Sequence, residues 1–239
     1  MTNKYCIVGA TRGTGLLITQ KLIDEKRDVK VLVRNRHKAL EIFGSGVEVV
    51  EADVTQSETL YAAVGSDVPA LFFTVEITGG MGGRGFFAPK ARIRQVTYDG
   101  LVNTVEAAKQ VGFTGRFVLV SVIGVNQPSL AWTLLNFLKV GLQQNIAERE
   151  NYLKRSGLEF TIIRSPVLTN EKGGLRKVVI DQGHRPLTLS ETLSREDLAK
   201  LMIMVADNPI CRNKTFNVYS GRASAQDDKE ITEQLKELS

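Results

Sequence analysis

Residues 4–15, KYCIVGATRGTG, form a short apolar run that ends in three glycines, Gly9, Gly13 and Gly15. Apolar residues resume at once in residues 16–23, LLITQKLI. A β-prone run, a glycine-rich segment and a periodic apolar segment predict a strand, a tight turn and a helix in succession. This stretch therefore predicts the first strand, turn and helix of an α/β fold.

The three glycines have the arrangement of a turn that binds the diphosphate of a dinucleotide. One glycine lets the chain leave the strand sharply, a second lets backbone N–H groups approach the diphosphate, and a third lets the helix pack close to the sheet. Three nearby glycines also occur in ordinary turns, but here they follow a first strand and open a helix, as the fingerprint requires. The residues expected to bind the cofactor in this turn are Gly9, Thr11, Arg12, Gly13, Thr14 and Gly15.

The composition is that of one globular domain. The 239 residues are 43% hydrophobic and 24% charged, and without a compositional break they predict a single domain over residues 1–239. The net charge of +5 is spread along the chain, which gives no support for nucleic-acid binding. Cys6 and Cys211 form no CxxC pair, and there are only two histidines, so no metal site or disulfide framework is expected. With no apolar run of about 20 residues, we expect a cytoplasmic protein without a transmembrane segment.

The charge at the end of the second predicted strand, residues 28–34, bears on the choice of cofactor. An acidic residue about 20 positions after the glycines would bind the ribose hydroxyls of NAD. This sequence has Arg34 there instead, in addition to Arg12 inside the turn. Guanidinium groups bind a 2′-phosphate through charge-assisted hydrogen bonds. The sequence therefore favours NADP(H), although surface cations that merely follow a strand are the alternative.

The remaining pattern alternates strands and helices. Further strands are predicted at residues 47–51, 70–75, 117–121, 159–164 and 216–219, and helices at residues 57–64, 98–111, 143–155 and 194–206. The unbroken apolar run ALFFTV at 70–75 is typical of a central parallel strand covered on both faces. The predicted fold class is α/β, a Rossmann-type doubly wound, mostly parallel sheet with helices on both faces. Residues 222–239 are expected to form a loosely attached tail.

Ligands of such sheets bind at the carboxyl ends of the parallel strands. Asp53 follows the third strand and is expected either to accept a hydrogen bond from the adenine or to cap the next helix. The other residues expected to bind cofactor at strand ends are Val54, Thr74, Val75 and Ser121. The glycine-rich residues 77–90 are either a lid over the site or an excursion without function.

The order of seven segments resembles that of the atypical short-chain dehydrogenases, in particular their NAD(P)-binding, NmrA-like branch. The segments are VGATRGTG, VLVRNR, VEVVEADVT, YDGLVNTVEAAKQVG, RFVLVSVIG, ENYLKRSGLEFTIIRSP and SREDLAK. The branch includes plant and cyanobacterial proteins and is similar to flavin and biliverdin reductases. The resemblance implies a Rossmann fold and NAD(P) binding, but the branch contains reductases, isomerases and proteins that bind the cofactor without turning it over.

The family's usual catalytic pair is missing. Its main branch uses Tyr-xxx-Lys after the fifth strand, where the lysine lowers the pKa of the tyrosine that passes a proton to a carbonyl oxygen. None of the five tyrosines here has a lysine four residues later, which excludes that mechanism. Ser121 stands where the family's catalytic serine would be and is the one candidate catalytic residue. A hydrogen bond to the backbone is the alternative role for its hydroxyl.

Residues 130–142, LAWTLLNFLKVGL, are too apolar for a surface helix with one buried face and too short to span a bilayer. The excess apolar surface is expected to contact an apolar ligand, a partner subunit, as in a homodimer, or a membrane protein, and core packing is the alternative. The expected substrate-binding residues are Glu76, Val122, Ile123, Trp132 and Phe137. The substrate or partner side is expected to comprise residues 76–92, 122–145 and 165–190.

Two functions agree with these observations. The first is an NADPH-dependent reductase of an apolar or conjugated acceptor such as a flavin, quinone or enone, for which solvent or the acceptor's ring can take up the proton. The second is a non-catalytic NADP(H)-responsive binding, redox-sensing or assembly protein. The missing Tyr-xxx-Lys favours the second function, whereas a lid-like loop at the nicotinamide end favours the first, towards which we lean.

Overall fold

The computed structural model describes residues 4–76, 88–224 and 227–238. Its centre is a mostly parallel sheet with helices on both faces. The strands are β1 Tyr5–Val8, β2 Val29–Val33, β3 Glu48–Glu51, β4 Ala70–Phe73, β5 Arg116–Val122, β6 Phe160–Ser165, β7 Val167–Thr169, β8 Arg176–Asp181, β9 Thr192–Ser194 and β10 Lys214–Ser224. The helices are α1 Gly13–Asp24, α2 Arg36–Phe43, α3 Ser57–Tyr61, α4 Lys90–Arg94, α5 Gly100–Gln110, α6 Leu130–Leu138, α7 Leu142–Arg155, α8 Arg195–Asp207 and α9 Asp228–Lys236.

The main sheet has the strand order β3-β2-β1-β4-β5-β6-β10-β8. Neighbouring strands are parallel from β3 through β10, and β8 runs antiparallel to β10. β7 and β9 form a separate parallel pair. The strand order reverses between β1 and β4, which leaves a crevice above their carboxyl ends where such sheets bind ligands. The predicted doubly wound, mostly parallel sheet is confirmed.

The central strand β4 is buried along its whole length. Leu71 and Phe73 belong to the apolar cluster that includes α3 and α5, whereas Phe72 belongs to the cluster on the other face with α1 and α8. This alternation follows from the period of two in a strand, which points successive side chains to opposite faces. The prediction of a central strand at 70–75 is confirmed, although the strand itself ends at Phe73.

The helix predicted at 98–111 begins earlier than the sequence indicates. The helix α4, a π-helical turn at Gln95–Asp99 and α5 follow one another without interruption. The short strands β7, β8 and β9 have no counterpart in the sequence prediction. They fall within residues 165–195, where the apolar runs are short and irregular.

The C-terminal segment is packed against the sheet. Its buried apolar side chains are Ile231, Leu235 and Leu238. The side-chain amide of Gln234 accepts a hydrogen bond from the Ile180 N–H and donates one to the Val178 carbonyl oxygen, both at 2.9 Å. The helix α9 thereby covers the outer edge of β8, a position that otherwise exposes unpaired backbone groups. The expectation of a loose tail at 222–239 is therefore wrong for the described residues 227–238.

Three further sequence expectations concern a membrane span, a metal site and the lid. The described ranges contain no helix long and apolar enough to cross a membrane. They also contain no group of three His, Cys, Asp or Glu side chains that could hold a metal ion, and Cys6 and Cys211 are both buried, free thiols. Of the expected lid at 77–90, residues 77–87 lie outside the described residues.

Candidate functional site

The turn between β1 and α1 requires glycine at two positions. Gly9 has a φ of +95°, which L side chains rarely adopt, and this conformation turns the chain out of β1. A β-carbon on Gly15 would lie 2.4 Å from the Gly9 carbonyl oxygen and 2.5 Å from Thr74 Oγ1. The tight turn and the close contact of the helix, both predicted from the sequence, are therefore present.

The third glycine, Gly13, is loosely surrounded. A β-carbon there would have only the Arg195 side chain within 4 Å among the described residues, with Nε at 3.8 Å. Thr11 is half-buried and Thr14 is buried. The N-terminus of α1 has no side-chain cap and no acidic residue in its first turn. Because its first N–H groups lack partners within the helix, the turn fits the diphosphate of a dinucleotide.

Thr74 and Val75, the two residues that follow β4, contact the glycine turn from the side of the sheet. The hydroxyl of Thr74 donates a hydrogen bond of 2.9 Å to the Val8 carbonyl oxygen. Val75 Cγ2 lies 3.1 Å from the position that a β-carbon on Gly9 would occupy. Both side chains hold the turn against the sheet, and a direct contact of either with the cofactor stays a prediction.

Two exposed arginines stand together at one end of the crevice, beside the glycine turn and the carboxyl end of β2. Arg34 follows β2, and Arg12 is the residue before α1. Burial, followed by the charge of Arg34, lowers the pKa of the Arg12 guanidinium. Neither arginine has a carboxylate within 4.0 Å in the described part of the chain. Two neighbouring cations without a neutralising carboxylate favour an anionic ligand such as a phosphate.

Asp53 and Val54 follow β3 at the same end of the crevice. Asp53 Oδ1 accepts hydrogen bonds from the N–H and the hydroxyl of Thr55, at 2.9 and 2.8 Å. The N-cap of α3 is Gln56, so Asp53 stabilises the turn before the helix and is not its cap. Val54 is buried, and its carbonyl oxygen accepts a hydrogen bond of 2.8 Å from Asn103 Nδ2. The contact of Asp53 with adenine stays a prediction.

Ser121 belongs to a buried ion-pair network. Its hydroxyl donates a hydrogen bond of 2.5 Å to Glu150 Oε1, and Arg164 donates to both oxygens of the same carboxylate, at 3.0 and 2.6 Å. Burial raises the pKa of Glu150, but the hydrogen bonds and charge of Arg164, then Ser121 and Lys154, outweigh burial and hold this pKa below its usual value. A serine hydroxyl has one hydrogen to donate, so while it is bonded to Glu150 it cannot donate the same hydrogen to a substrate carbonyl.

A second buried cation lies next to this network. Arg149 is completely buried, and its Nη2 donates to the Val120 carbonyl oxygen at 2.9 Å and to Glu76 Oε1 at 3.3 Å. Its Nε and Nη1 are buried without a hydrogen-bond partner among the described residues. Glu76 is half-exposed. Burial lowers the pKa of Lys139, and the negative charge of Glu76 offsets part of this lowering. Glu76, expected to contact substrate, is thus paired with Arg149.

Sequence reasoning assigned no role to Arg149 or Glu150, although the pattern of α7 marks them. The buried residues of this helix are Asn145, Ile146, Arg149, Glu150 and Leu153. Their spacing is that of a single helix face. Two charged residues on the apolar face of a helix indicate a buried ion-pair network, and this signal was present in the sequence.

Trp132, expected to bind substrate, lies in the core. It is 1% exposed, and its Nε1 donates a hydrogen bond of 3.2 Å to the carbonyl oxygen of Ile123, which is also fully buried. Val122 is partly exposed and packs against the buried apolar cluster that contains Ile123 and Trp132. Neither Trp132 nor Ile123 presents a side chain to a substrate. For these two residues the structure corrects the expectation in favour of core packing.

The opposite face of α6 is apolar and exposed. Leu130 is 91% exposed, Leu134 47%, Phe137 81% and Val140 53%. Leu130, Leu134 and Phe137 follow one another at intervals of three or four residues along one face of α6, and Val140 follows just after the helix ends. We call these four residues the α6 stripe. The segment 130–142 therefore divides into a core half and an apolar surface half without a partner among the described residues.

The strand order, the glycine turn and the pair of Arg12 and Arg34 define a Rossmann-type dinucleotide-binding protein. The NAD(P)H-binding family matches residues 9–209, and the chain belongs to that family. The cofactor class predicted from the sequence is thereby confirmed.

Relatives of this chain include reductases. It is 29% identical over 245 residues to sanguinarine reductase of Eschscholzia californica, covering 89% of this chain and 87% of that protein. It is 33% identical over 179 residues to an uncharacterized chloroplastic protein of Arabidopsis thaliana, covering 71% of this chain and 61% of that protein. A short-chain dehydrogenase/reductase of Veillonella parvula, solved in complex with NADP, has a TM-score of 0.69 at 19% identity, covering 95% of this chain and 98% of that one. This last similarity shows the fold alone.

Proposed function

We propose that this protein is an NADPH-dependent reductase of an apolar or conjugated acceptor such as a flavin, a quinone or an enone. Bound NADPH would supply a hydride. The observation that carries the choice of acceptor is the hydrogen bond from Ser121 to Glu150, which engages the hydroxyl at the family's catalytic-serine position. No tyrosine of this chain is followed by lysine at the catalytic spacing. An acceptor that takes its proton from solvent or onto its own ring needs orientation but little protein acid.

The family and the pair of Arg12 and Arg34 support the part of this proposal that concerns NADPH binding. Members of the family bind NAD(P)H, and Arg12 and Arg34 stand together without a carboxylate among the described residues. The similarity to sanguinarine reductase supports a reductase.

Arg34→Ala is expected to weaken NADPH binding about fivefold to tenfold, because a charge-assisted bond to the 2′-phosphate contributes about 1 kcal/mol or more. NADH lacks that phosphate, so its Kd should stay nearly constant. Fluorescence titration of both nucleotides measures the change. Arg155→Ala, which removes an exposed positive charge at the end of α7, is the control and should leave both affinities unchanged. Equal wild-type affinities for the two nucleotides would refute the NADP assignment.

The purified protein is expected to oxidise NADPH with flavin or quinone acceptors and not with simple ketones. If the α6 stripe binds the acceptor, Phe137→Ala should raise the acceptor's KM severalfold without changing the Kd of NADPH. Trp132 is unsuitable for this test, since Trp132→Ala would remove about 3–5 kcal/mol of core packing. Ile210→Ala, an exposed apolar residue after α8, is the matched control. Turnover of aliphatic ketones would contradict the proposed mechanism.

The α6 stripe also favours a second candidate, a non-catalytic NADP(H)-responsive binding, redox-sensing or assembly protein. Exposed apolar patches are typical of contact surfaces, and a second copy in a homodimer is one such partner. Affinity capture in NADP⁺ and in NADPH, with wild type and Phe137→Ala, tests this candidate, and gel filtration tests the dimer. No NADPH oxidation across an acceptor panel, with a partner that depends on the cofactor's redox state and on Phe137, would favour the second candidate.

A further inference from the structure

The Arg195 side chain lies over the open face of the glycine turn. Its Nε is 3.8 Å and its Cδ 4.0 Å from the position that a β-carbon on Gly13 would occupy. Arg195 is the first residue of α8, and Gly13 is the first residue of α1. The two helices pack against each other, which brings a guanidinium from the C-terminal half of the chain to the turn near the N-terminus.

The guanidinium is held at one nitrogen. Arg195 Nη1 donates to the Leu168 carbonyl oxygen at 3.1 Å and to Asn170 Oδ1 at 2.7 Å. Within the described ranges, its Nε and Nη2 have no acceptor, and no carboxylate lies within 4.0 Å of the group. A side chain fixed at one end retains N–H donors for a ligand and has already lost part of its rotamer freedom.

The two acidic residues that follow Arg195 do not neutralise it. Glu196 Oε2 accepts a hydrogen bond from the Gly173 N–H, and Asp197 Oδ1 accepts one from the Gly174 N–H, at 2.8 and 2.7 Å. These bonds hold the loop after β7 against the start of α8. The positive charge of Arg195 therefore adds to that of the uncapped N-terminus of α1.

We propose that Arg195 binds the diphosphate of the bound dinucleotide, an assignment that rests on the dinucleotide site of the proposed function. Arg12 and Arg34 then bind the 2′-phosphate, whereas Arg195 contacts the diphosphate at the glycine turn. The diphosphate is common to NADH and NADPH, whereas the 2′-phosphate belongs to NADPH alone. Arg195 therefore contributes to the affinity for both nucleotides and not to the choice between them.

Titration of Arg195→Gln with NADPH, NADH and adenosine 2′-monophosphate tests this assignment. The Kd values of NADPH and NADH are expected to rise by the same factor, about tenfold or more, because a charge-assisted bond to the diphosphate is lost from both. Binding of adenosine 2′-monophosphate, which has no diphosphate, is expected to stay unchanged. Arg155→Gln, an exposed arginine at the end of α7, is the matched control and should change none of the three.

The outcomes separate this assignment from the proposed function. Unchanged Kd values for both dinucleotides would overturn the role of Arg195, and so would a loss confined to NADPH, which would place Arg195 at the 2′-phosphate. If wild-type protein binds neither dinucleotide, the proposed function itself fails. If Arg195→Gln does not fold by circular dichroism, Asn170→Ala replaces it. That variant frees the guanidinium and should weaken both dinucleotides equally, by a smaller factor, so unchanged or unequal affinities would again reject the assignment.

Discussion

Gly13→Val is expected to raise the Kd of NADPH at least about 100-fold, a loss of about 2.7 kcal/mol. The valine side chain would occupy the gap between Gly13 and the Arg195 side chain, over the N-terminus of α1, where a diphosphate approaches backbone N–H groups. Hydrogen bonds to a charged group contribute about 1.5–3 kcal/mol each, so losing one or two of them accounts for the effect. Titration should show the same loss with NADH, because both nucleotides carry the diphosphate.

Backbone strain is the competing explanation, since Gly13 has a φ of +54°. Gly112, with a φ of +68° and nothing within 4 Å of a β-carbon built on it, is the matched control. Gly112→Val introduces a similar strain of about 1–2 kcal/mol, and it should lower the free energy of unfolding without changing nucleotide affinity. Retained affinity in Gly13→Val would mean that the turn does not bind a dinucleotide. Equal affinity losses in both variants would attribute the effect to strain.

Glu150→Gln is expected to lower the free energy of unfolding by about 3 kcal/mol, at the lower end of the range for breaking a buried ion pair. The carboxylate is 1% exposed and pairs with Arg164, whose side chain is 21% exposed. Removing the negative charge leaves the guanidinium partly buried without its counter-ion. Urea denaturation followed by circular dichroism measures the loss.

Glu148→Gln is the control on the same helix, because Glu148 pairs with Arg94 nearer the surface. Surface ion pairs contribute about 1 kcal/mol or less, so this variant should be close to wild type. Equal destabilisation by the two substitutions would contradict the assignment of a buried network to Glu150.

The stabilisation by Glu150 is expected to disappear in acid. The pKa of Glu150 lies below its usual value in the folded protein, so the unfolded chain binds the proton more tightly. The contribution is therefore complete above the unfolded pKa of about 4.3. It is lost as the pH falls through the lower folded pKa. The stability difference between wild type and Glu150→Gln should begin to shrink as the pH falls below about 4, and a constant difference down to pH 3 would be inconsistent with this explanation.

Local sequence patterns were enough to predict the parallel part of the sheet and the position of the glycine turn. The glycine turn, the Arg34 position and the unbroken apolar run at 70–75 are local patterns, and their meaning depends on neighbours along the chain. The carboxyl ends of parallel strands meet at one edge of a sheet, so the turn and the residue after β2 had to converge there. The strand order β3-β2-β1-β4-β5-β6 places them beside each other.

Tertiary structure alone decided which apolar and charged side chains face the site. Trp132 and Phe137 lie five residues apart on the same apolar helix, yet one is 1% and the other 81% exposed. Composition does not distinguish them, because both faces of α6 are apolar and packing against the Ile123 cluster selects one.

The same holds for the contacts made across long sequence separations. Arg195 reaches Gly13 through the packing of α8 on α1, and Ser121 meets Glu150 across 29 residues. The C-terminal helix is polar along most of its length, and Gln234 forms two hydrogen bonds with the edge strand β8 that only the folded chain brings within reach. Periodicity indicates that a side chain is buried, but its partner depends on which element packs against it, and that is a property of the folded chain.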